Sequence, residues 1–366
     1  MNTTDADQKT LLVVDDEINV CRALARLLSS SNYRIVFAQD GAEGLEQVRN
    51  NEFDLIISDA RMPGMDGITF LSRAAELKPN APQILLTGSA DLDMLQSAVN
   101  QCRLAKFMTK PWDAGELVAT VNAVLAEHAN LRKAAQYREY LLDQLQVAAD
   151  LQRMQIPERS LRDDIDIEWM YKPCAVLAGD GIGFRQVGDQ LFFYLLDVVG
   201  HGPAAAMESY ALQKQLAGVC ESDPASVAAR LNRNQFSQHN PMQYYTMIYG
   251  VLDAHSGCLR FCQAGHPNPL HWSRASNKVR LIGEGGFPVG LIETATYTTI
   301  ELQMQPGDRM LFCSDGLLDA GAGAVVHFAE NAAEQKLAGL MDRIARWREI
   351  LAVEDDISML ALEWKL

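Results

Sequence analysis

Four short apolar runs in the first 110 residues each end in a charged or hydroxyl residue, and this pattern constrains the fold more than any other feature of the chain. Leu11-Leu-Val-Val14 runs into Asp15-Asp16-Glu17, and Phe53-Asp-Leu-Ile-Ile57 runs into Ser58-Asp59. Ile84-Leu-Leu86 ends at Thr87, and Ala105-Lys-Phe-Met108 ends at Lys110-Pro111. Such runs, alternating with helical patterns over residues 10 to 125, predict buried strands of a parallel sheet wrapped by helices. Ligand sites of open α/β sheets lie at the carboxyl ends of the strands, so the four endings converge on one crevice. There Asp15, Asp16 and Asp59 form a three-carboxylate pocket suited to one Mg²⁺, with the Arg61 carbonyl as a further oxygen ligand. The cation and the Lys110 ammonium would stabilise charge while Asp59 attacks a phosphoryl group in line. Thr87 offers a hydroxyl to the new phosphoryl oxygens, and Phe107 can change rotamer when Thr87 moves.

These residues carry a resemblance. Val14-Asp-Asp-Glu17, Ser58-Asp-Ala-Arg-Met-Pro-Gly-Met-Asp-Gly67, Leu86-Thr-Gly88 and Phe107-Met-Thr-Lys-Pro-Trp112 are similar to the receiver domain of bacterial response regulators. The resemblance implies a flavodoxin-like (βα)₅ fold over residues 1–126, with Asp59 phosphorylated by a cognate histidine kinase.

From Ala114 to about Met154 the chain has no proline, and Leu117, Val121, Val124, Leu131, Leu141, Leu145 and Leu151 recur at three-to-four spacing. This predicts one long helix stopped by Pro157. His128, Arg138 and Gln152 interrupt its apolar seam. Residues 127–157 are expected to be a connecting helix that transmits a signal and joins two copies as a homodimer.

The texture changes over residues 158–366. Alternating strands such as Ile167-Glu-Trp-Met-Tyr171, Gln190-Leu-Phe-Phe-Tyr-Leu-Leu-Asp197 and Met247-Ile-Tyr-Gly-Val-Leu-Asp253 stand beside glycine-rich turns, and Ala204 to Leu216 reads as a helix. Asp180, Asp197, Asp315 and Asp355 sit in or beside these turns. Carboxylates gathered in one cleft repel each other unless cations neutralise them, which points to a hard-metal site. Two Mn²⁺ or Mg²⁺ ions held by the four, with the Val198 carbonyl as an added ligand, would activate a water toward a phosphoester.

Ala178-Gly-Asp180, Asp197-Val-Val-Gly-His-Gly202, Ala264-Gly-His-Pro-Asn-Pro-Leu270, Phe312-Cys-Ser-Asp-Gly-Leu317 and Asp355-Asp-Ile-Ser358 resemble the PP2C-type serine/threonine phosphatases, in the bacterial stress and sporulation subgroup. The resemblance implies an α-β-β-α sandwich and phosphoserine or phosphothreonine substrates, commonly an anti-sigma-factor antagonist. It also selects Asp355 over Asp356 as the metal ligand. One position departs from the subgroup: Gly183 stands where a second acid usually follows the first. That departure supports an alternative reading, a catalytically silent adaptor that binds a sigma-factor regulator. His201 and His266, both in glycine-flanked turns, are expected to order loops rather than to catalyse.

Charge and cysteines bound the partners. A formal net charge of −15, from 32 Lys+Arg against 47 Asp+Glu, argues against nucleic acid, whose phosphates need clustered cations. The seven cysteines form no zinc-type pairs and are expected to be buried thiols in a reducing compartment. The polar start and the lack of a bilayer-length apolar stretch predict a cytoplasmic protein without a membrane partner.

Overall fold

The computed structural model describes residues 8–29, 33–88, 104–157, 164–200, 202–237, 244–319, 336–349 and 355–366. The chain divides into two compact units, residues 1–140 and 141–366.

The first unit contains β1 (Thr10–Val14), α1 (Ile18–Ser29), β2 (Arg34–Ala38), α2 (Gly41–Asn50), β3 (Leu55–Asp59), α3 (Gly67–Leu77), β4 (Gln83–Gly88) and β5 (Leu104–Lys110). Its sheet has the order β2-β1-β3-β4-β5, and every pairing is parallel. Two aspartates start helices: Asp40 accepts from the amides of Ala42 and Glu43, and Asp66 accepts from Thr69, which satisfies amides the first turn leaves unpaired. Successive strand residues serve opposite faces. Leu12 and Val14 therefore pack with Phe70 and Leu71 on one side, and Leu11 and Val13 with Leu24, Val121 and Leu125 on the other.

Helix α4 (Ala114–Arg153) is continuous through the boundary between the units. Asp113 accepts from the Glu116 amide at its start. Leu117, Val121 and Val124 are buried in the first unit, whereas Leu131, Leu141 and Leu151 are exposed. Among the described residues no helix is long and apolar enough to cross a membrane.

The second unit stacks two antiparallel sheets. One has the order β13-β10-β9-β8-β7 and the other β12-β11-β14-β15-β6. Their strands are β6 (Ile165–Lys172), β7 (Asp180–Val187), β8 (Gln190–Val198), β9 (Tyr245–Asp253), β10 (Cys258–Ala264), β11 (Leu270–Ser273), β12 (Lys278–Leu281), β13 (Thr299–Gln303), β14 (Arg309–Cys313) and β15 (Ile357–Trp364). Ile182, Phe193 and Leu195 of the first sheet meet Ile167, Phe312 and Leu360 of the second, and the Phe193 and Phe312 rings lie 4.8 Å apart. Helices α5 (Pro203–Leu216) and α6 (Pro224–Ser237) cover the outer face of the first sheet. The short α7 (Asp315–Asp319) and α8 (Leu337–Glu349) cover that of the second. The result is the expected four-layer sandwich.

One expectation fails. Among the described cysteines Cys21, Cys262 and Cys313 are buried, but Cys174 and Cys220 are exposed and Cys258 is intermediate. Cys174 and Cys220 lie outside strands and helices, where no element buries them.

Candidate functional site

In the first unit, strand ends deliver the acidic pocket. Asp15, Asp16 and Asp59 each place a carboxylate oxygen within 4.8 Å of the others. Lys110 at the end of β5 lies 2.6 Å from Asp59 and 3.0 Å from Asp15. Burial raises the Asp59 pKa, and the Lys110 ammonium opposes that shift. Thr87 is buried at the end of β4, one residue past the register partner of Asp59. Phe107 on β5 is 47% exposed, so its ring has room to move. Arg61 follows Asp59 by two residues on an exposed turn. Mg²⁺ fits this donor set: three carboxylates and one ammonium leave net negative charge for a hard cation.

In the second unit, alternation decides what faces what. Asp180 starts β7 on the side of Ile182 and Phe184, and Asp197 ends β8 on the side of Leu195. Both therefore point between the sheets, and they are register partners. From the opposite sheet, Ser358 and Asp356 share the face of Leu360, and both act on Asp180. Asp315 at the start of α7 and Asp355 just before β15 are close enough to raise the Asp197 pKa. Gly316 permits this approach: a Cβ there would lie 2.2 Å from the Asp356 carbonyl.

The electrostatics calls for a cation. Asp180 is 1% exposed, and its Oδ2 has no hydrogen-bond partner. Its pKa is driven well up by burial first and by Asp197 second. Asp197 is pushed up to about 7 by burial, then by Asp315 and Asp355. The nearby charges that act on this pair are aspartates, so a divalent cation matches the chemistry of the site. Among the described residues no three of these four carboxylates close to within 4.8 Å of one another, as Asp15, Asp16 and Asp59 do. Mutual repulsion pushes in that direction.

Three supporting roles were hidden in the sequence. Asp356 accepts from the amides of Cys174 (2.8 Å) and Gly179 (2.7 Å), so it ties down the segment that leads into Asp180. Asp355 remains exposed. Ser314 accepts from the Ser358 amide at 2.9 Å, and both serine side chains favour ionised Asp180. Buried Gln152 donates to the carbonyls of Ala178 (3.0 Å) and Ala206 (3.2 Å) and accepts from the Ala178 amide. It thereby joins the end of α4 to both the Asp180 segment and α5. In the sequence Gln152 showed only as a break in the apolar seam of the helix.

Gly183 loses its presumed significance. A Cβ there would meet the Tyr194 ring at 2.3 Å, and Tyr194 packs with the helix layer. The position thus faces away from Asp180, and no acid there would line the cleft. His201 lies outside the described residues. His266 is buried, in keeping with a structural role.

An acidic pocket at the end of a parallel sheet, followed by a carboxylate cleft between two sheets, defines a class of protein: a phosphoacceptor-type domain fused to a phosphatase-type fold. Family models agree, with the response regulator receiver domain matching residues 11–122 and stage II sporulation protein E matching residues 188–365. The chain is a receiver domain joined to a PP2C-type phosphatase domain of the sporulation protein E family. The transcriptional regulatory protein ZraR of Klebsiella oxytoca is 35% identical over 128 residues, or 35% of this chain and 28% of its own. The chain spans about a quarter of the length of the curated relatives it matches. The PP2C domain of SiaA from Pseudomonas aeruginosa is 21% identical with a TM-score of 0.55, covering 63% of this chain and 100% of that one; this is a likeness of fold. The RsbU and RsbW domains of a Mycobacterium tuberculosis protein align at 28% identity and a TM-score of 0.48, over 57% of this chain and 62% of theirs.

Proposed function

We propose that this chain is a two-component response regulator whose output is metal-dependent dephosphorylation of phosphoserine or phosphothreonine in a protein. The observation that carries the reading is the register pair of buried Asp180, which has an unpartnered oxygen, and half-buried Asp197, flanked by Asp315 and Asp355. When bound, a pair of divalent cations supplies charge neutralisation and a lowered water pKa, which is what phosphoester hydrolysis requires. Asp180 and Asp197 hold the inner side of that site from rigid strand ends. Exposed Asp315 and Asp355 leave the outer side open to a phosphoprotein. The Val198 carbonyl is a further oxygen donor beside Gly179, whose Cβ position lies 3.0 Å from it.

Control begins at Asp59. Its carboxylate oxygen forms a bond to phosphorus as the phosphorus–nitrogen bond of a kinase phosphohistidine breaks, with Lys110 and a receiver-bound Mg²⁺ offsetting the charge. Thr87 and Phe107 respond as the switch pair. Helix α4 carries the signal, because it contributes Leu117 and Val121 to one core and Ala149 and Gln152 to the other. The exposed Leu131, Tyr137, Tyr140, Leu142 and Val147 on the same helix offer a second copy its dimer surface. An anti-sigma-factor antagonist is the substrate class this reading favours. The test is phosphate release from a phosphoserine protein with Mn²⁺, wild type against Asp197→Asn. The substitution should lower the rate by about a thousandfold, the scale lost when a charge-stabilising catalytic group is removed; equal rates reject metal-based hydrolysis.

A further inference from the structure

His266 occupies the place where the two sheets meet at their carboxylate end. It follows β10 after Gly265, whose φ of 71° turns the chain and whose backbone bridges to Met247. Gln263 fixes that turn. Its side-chain amide donates to the His266 carbonyl and to Asn268 Oδ1 at 2.7 Å, and its Oε1 accepts from the Gly285 amide at 3.0 Å.

The ring itself is 2% exposed. Nδ1 lies 2.8 Å from the Thr246 hydroxyl, and Thr246 is the register partner of Asp197. Nε2 is buried without a hydrogen-bond partner of its own. The backbone of Cys313 acts on the ring and favours its proton; Cys313 ends β14 in the opposite sheet, two residues before Asp315. Burial lowers the ring pKa to about 3, so it carries a single N–H at working pH. With the Thr246 hydroxyl donating to Nδ1, the ring's single N–H lies on Nε2. An apolar ring would fill the space without desolvating two nitrogens.

We propose that His266 is a positioning residue: from the buried turn that ends β10 its ring holds Thr246, the register partner of Asp197, and so fixes Asp197 at the edge of the cleft in which the aspartates share divalent cations. The inference rests on the two-cation reading above. Oxygen ligands of such ions must sit within roughly 2.0–2.6 Å, so a small displacement of Asp197 alters affinity. Loss of outer partners of this kind lowers metal affinity about 10–100-fold.

The experiment titrates Mn²⁺ into the full-length chain by calorimetry, in an Asp16→Asn, Asp59→Asn background that disables the receiver pocket. Thr246→Val keeps the shape and removes the hydroxyl, so it should weaken Mn²⁺ about 10–100-fold, while Thr246→Ser should stay within about threefold of the parent. His266→Phe should match Thr246→Val. Ring ¹⁵N shifts of the Mg²⁺-loaded parent should show an Nε2–H tautomer that does not titrate between about pH 5 and 9, well above the lowered ring pKa. If His266→Phe does not fold, Thr246→Val and the tautomer decide. Parent-like Mn²⁺ affinity in Thr246→Val, or an Nδ1–H ring, overturns the positioning role and leaves the two-cation reading intact. A parent that binds no Mn²⁺ overturns both.

Discussion

Replacing Asp180 with asparagine should stabilise the phosphatase unit in chelator and make it insensitive to Mn²⁺. The Asp180 carboxylate is 1% exposed, one of its oxygens has no partner, and its register partner is another acid. A buried acceptor left unsatisfied costs about 1–3 kcal/mol, and more when charged. Asparagine keeps the shape and removes the charge. In a domain of this size 1 kcal/mol moves the midpoint by roughly 2–4 °C, so the variant should melt roughly 2–10 °C higher than wild type in chelator. Mn²⁺ at a thousandfold its Kd should add about 4.1 kcal/mol to wild type and nothing comparable to the variant, so the order of stabilities reverses. Thermal unfolding followed through Trp169, Trp272 and Trp364, all on strands of this unit, reads the crossing in the receiver-disabled background. A variant that melts lower than wild type in chelator, or one that gains as much from Mn²⁺, would refute the argument.

Three further outcomes follow from the same geometry. Because the Asp197 pKa is raised to about 7, mainly by burial, the folded state binds its proton more tightly than the unfolded chain; stability in chelator should be highest near pH 4 and decline as pH rises through 7. Urea midpoints across that range check the sign, and saturating Mn²⁺ should flatten the decline, since ligation needs ionised carboxylates. Gly183→Asp should destabilise the domain by about 1–3 kcal/mol through the Tyr194 clash and leave Mn²⁺ affinity unchanged; tighter binding would contradict its placement on the far face. Gln152→Leu strands the Ala178 and Ala206 backbone groups and should cost about 1–3 kcal/mol. It should also abolish the difference in phosphatase rate between Asp59-phosphorylated and unphosphorylated chain, and a preserved difference would remove Gln152 from the signalling route.

Much of this was legible in the chain because polar endings on apolar runs mark strand termini. The strands at Leu11, Leu55, Ile84 and Lys106 and the helix from Ala114 to Arg153 fall where periodicity places them. Arg34–Ala38 was missed because its residues are mostly half-exposed and Gln39, not an acid, directly follows the strand. Facing is what a linear reading cannot supply. Gly183 looked like a lost ligand until the pairing with Tyr194 showed which side it serves. Asp356 looked like a spare acid, yet its carboxylate is consumed by two amides from a segment about 180 residues away. Such roles depend on register between strands that only the folded sheet brings together.

The most direct test of the account is a crystal of the full chain grown with Mn²⁺ and measured at the manganese absorption edge. Two anomalous peaks between the sheets, each roughly 2.0–2.4 Å from carboxylate oxygens of Asp180, Asp197, Asp315 or Asp355, are the predicted result. Peaks confined to the receiver pocket, with those four side chains turned apart, would contradict it.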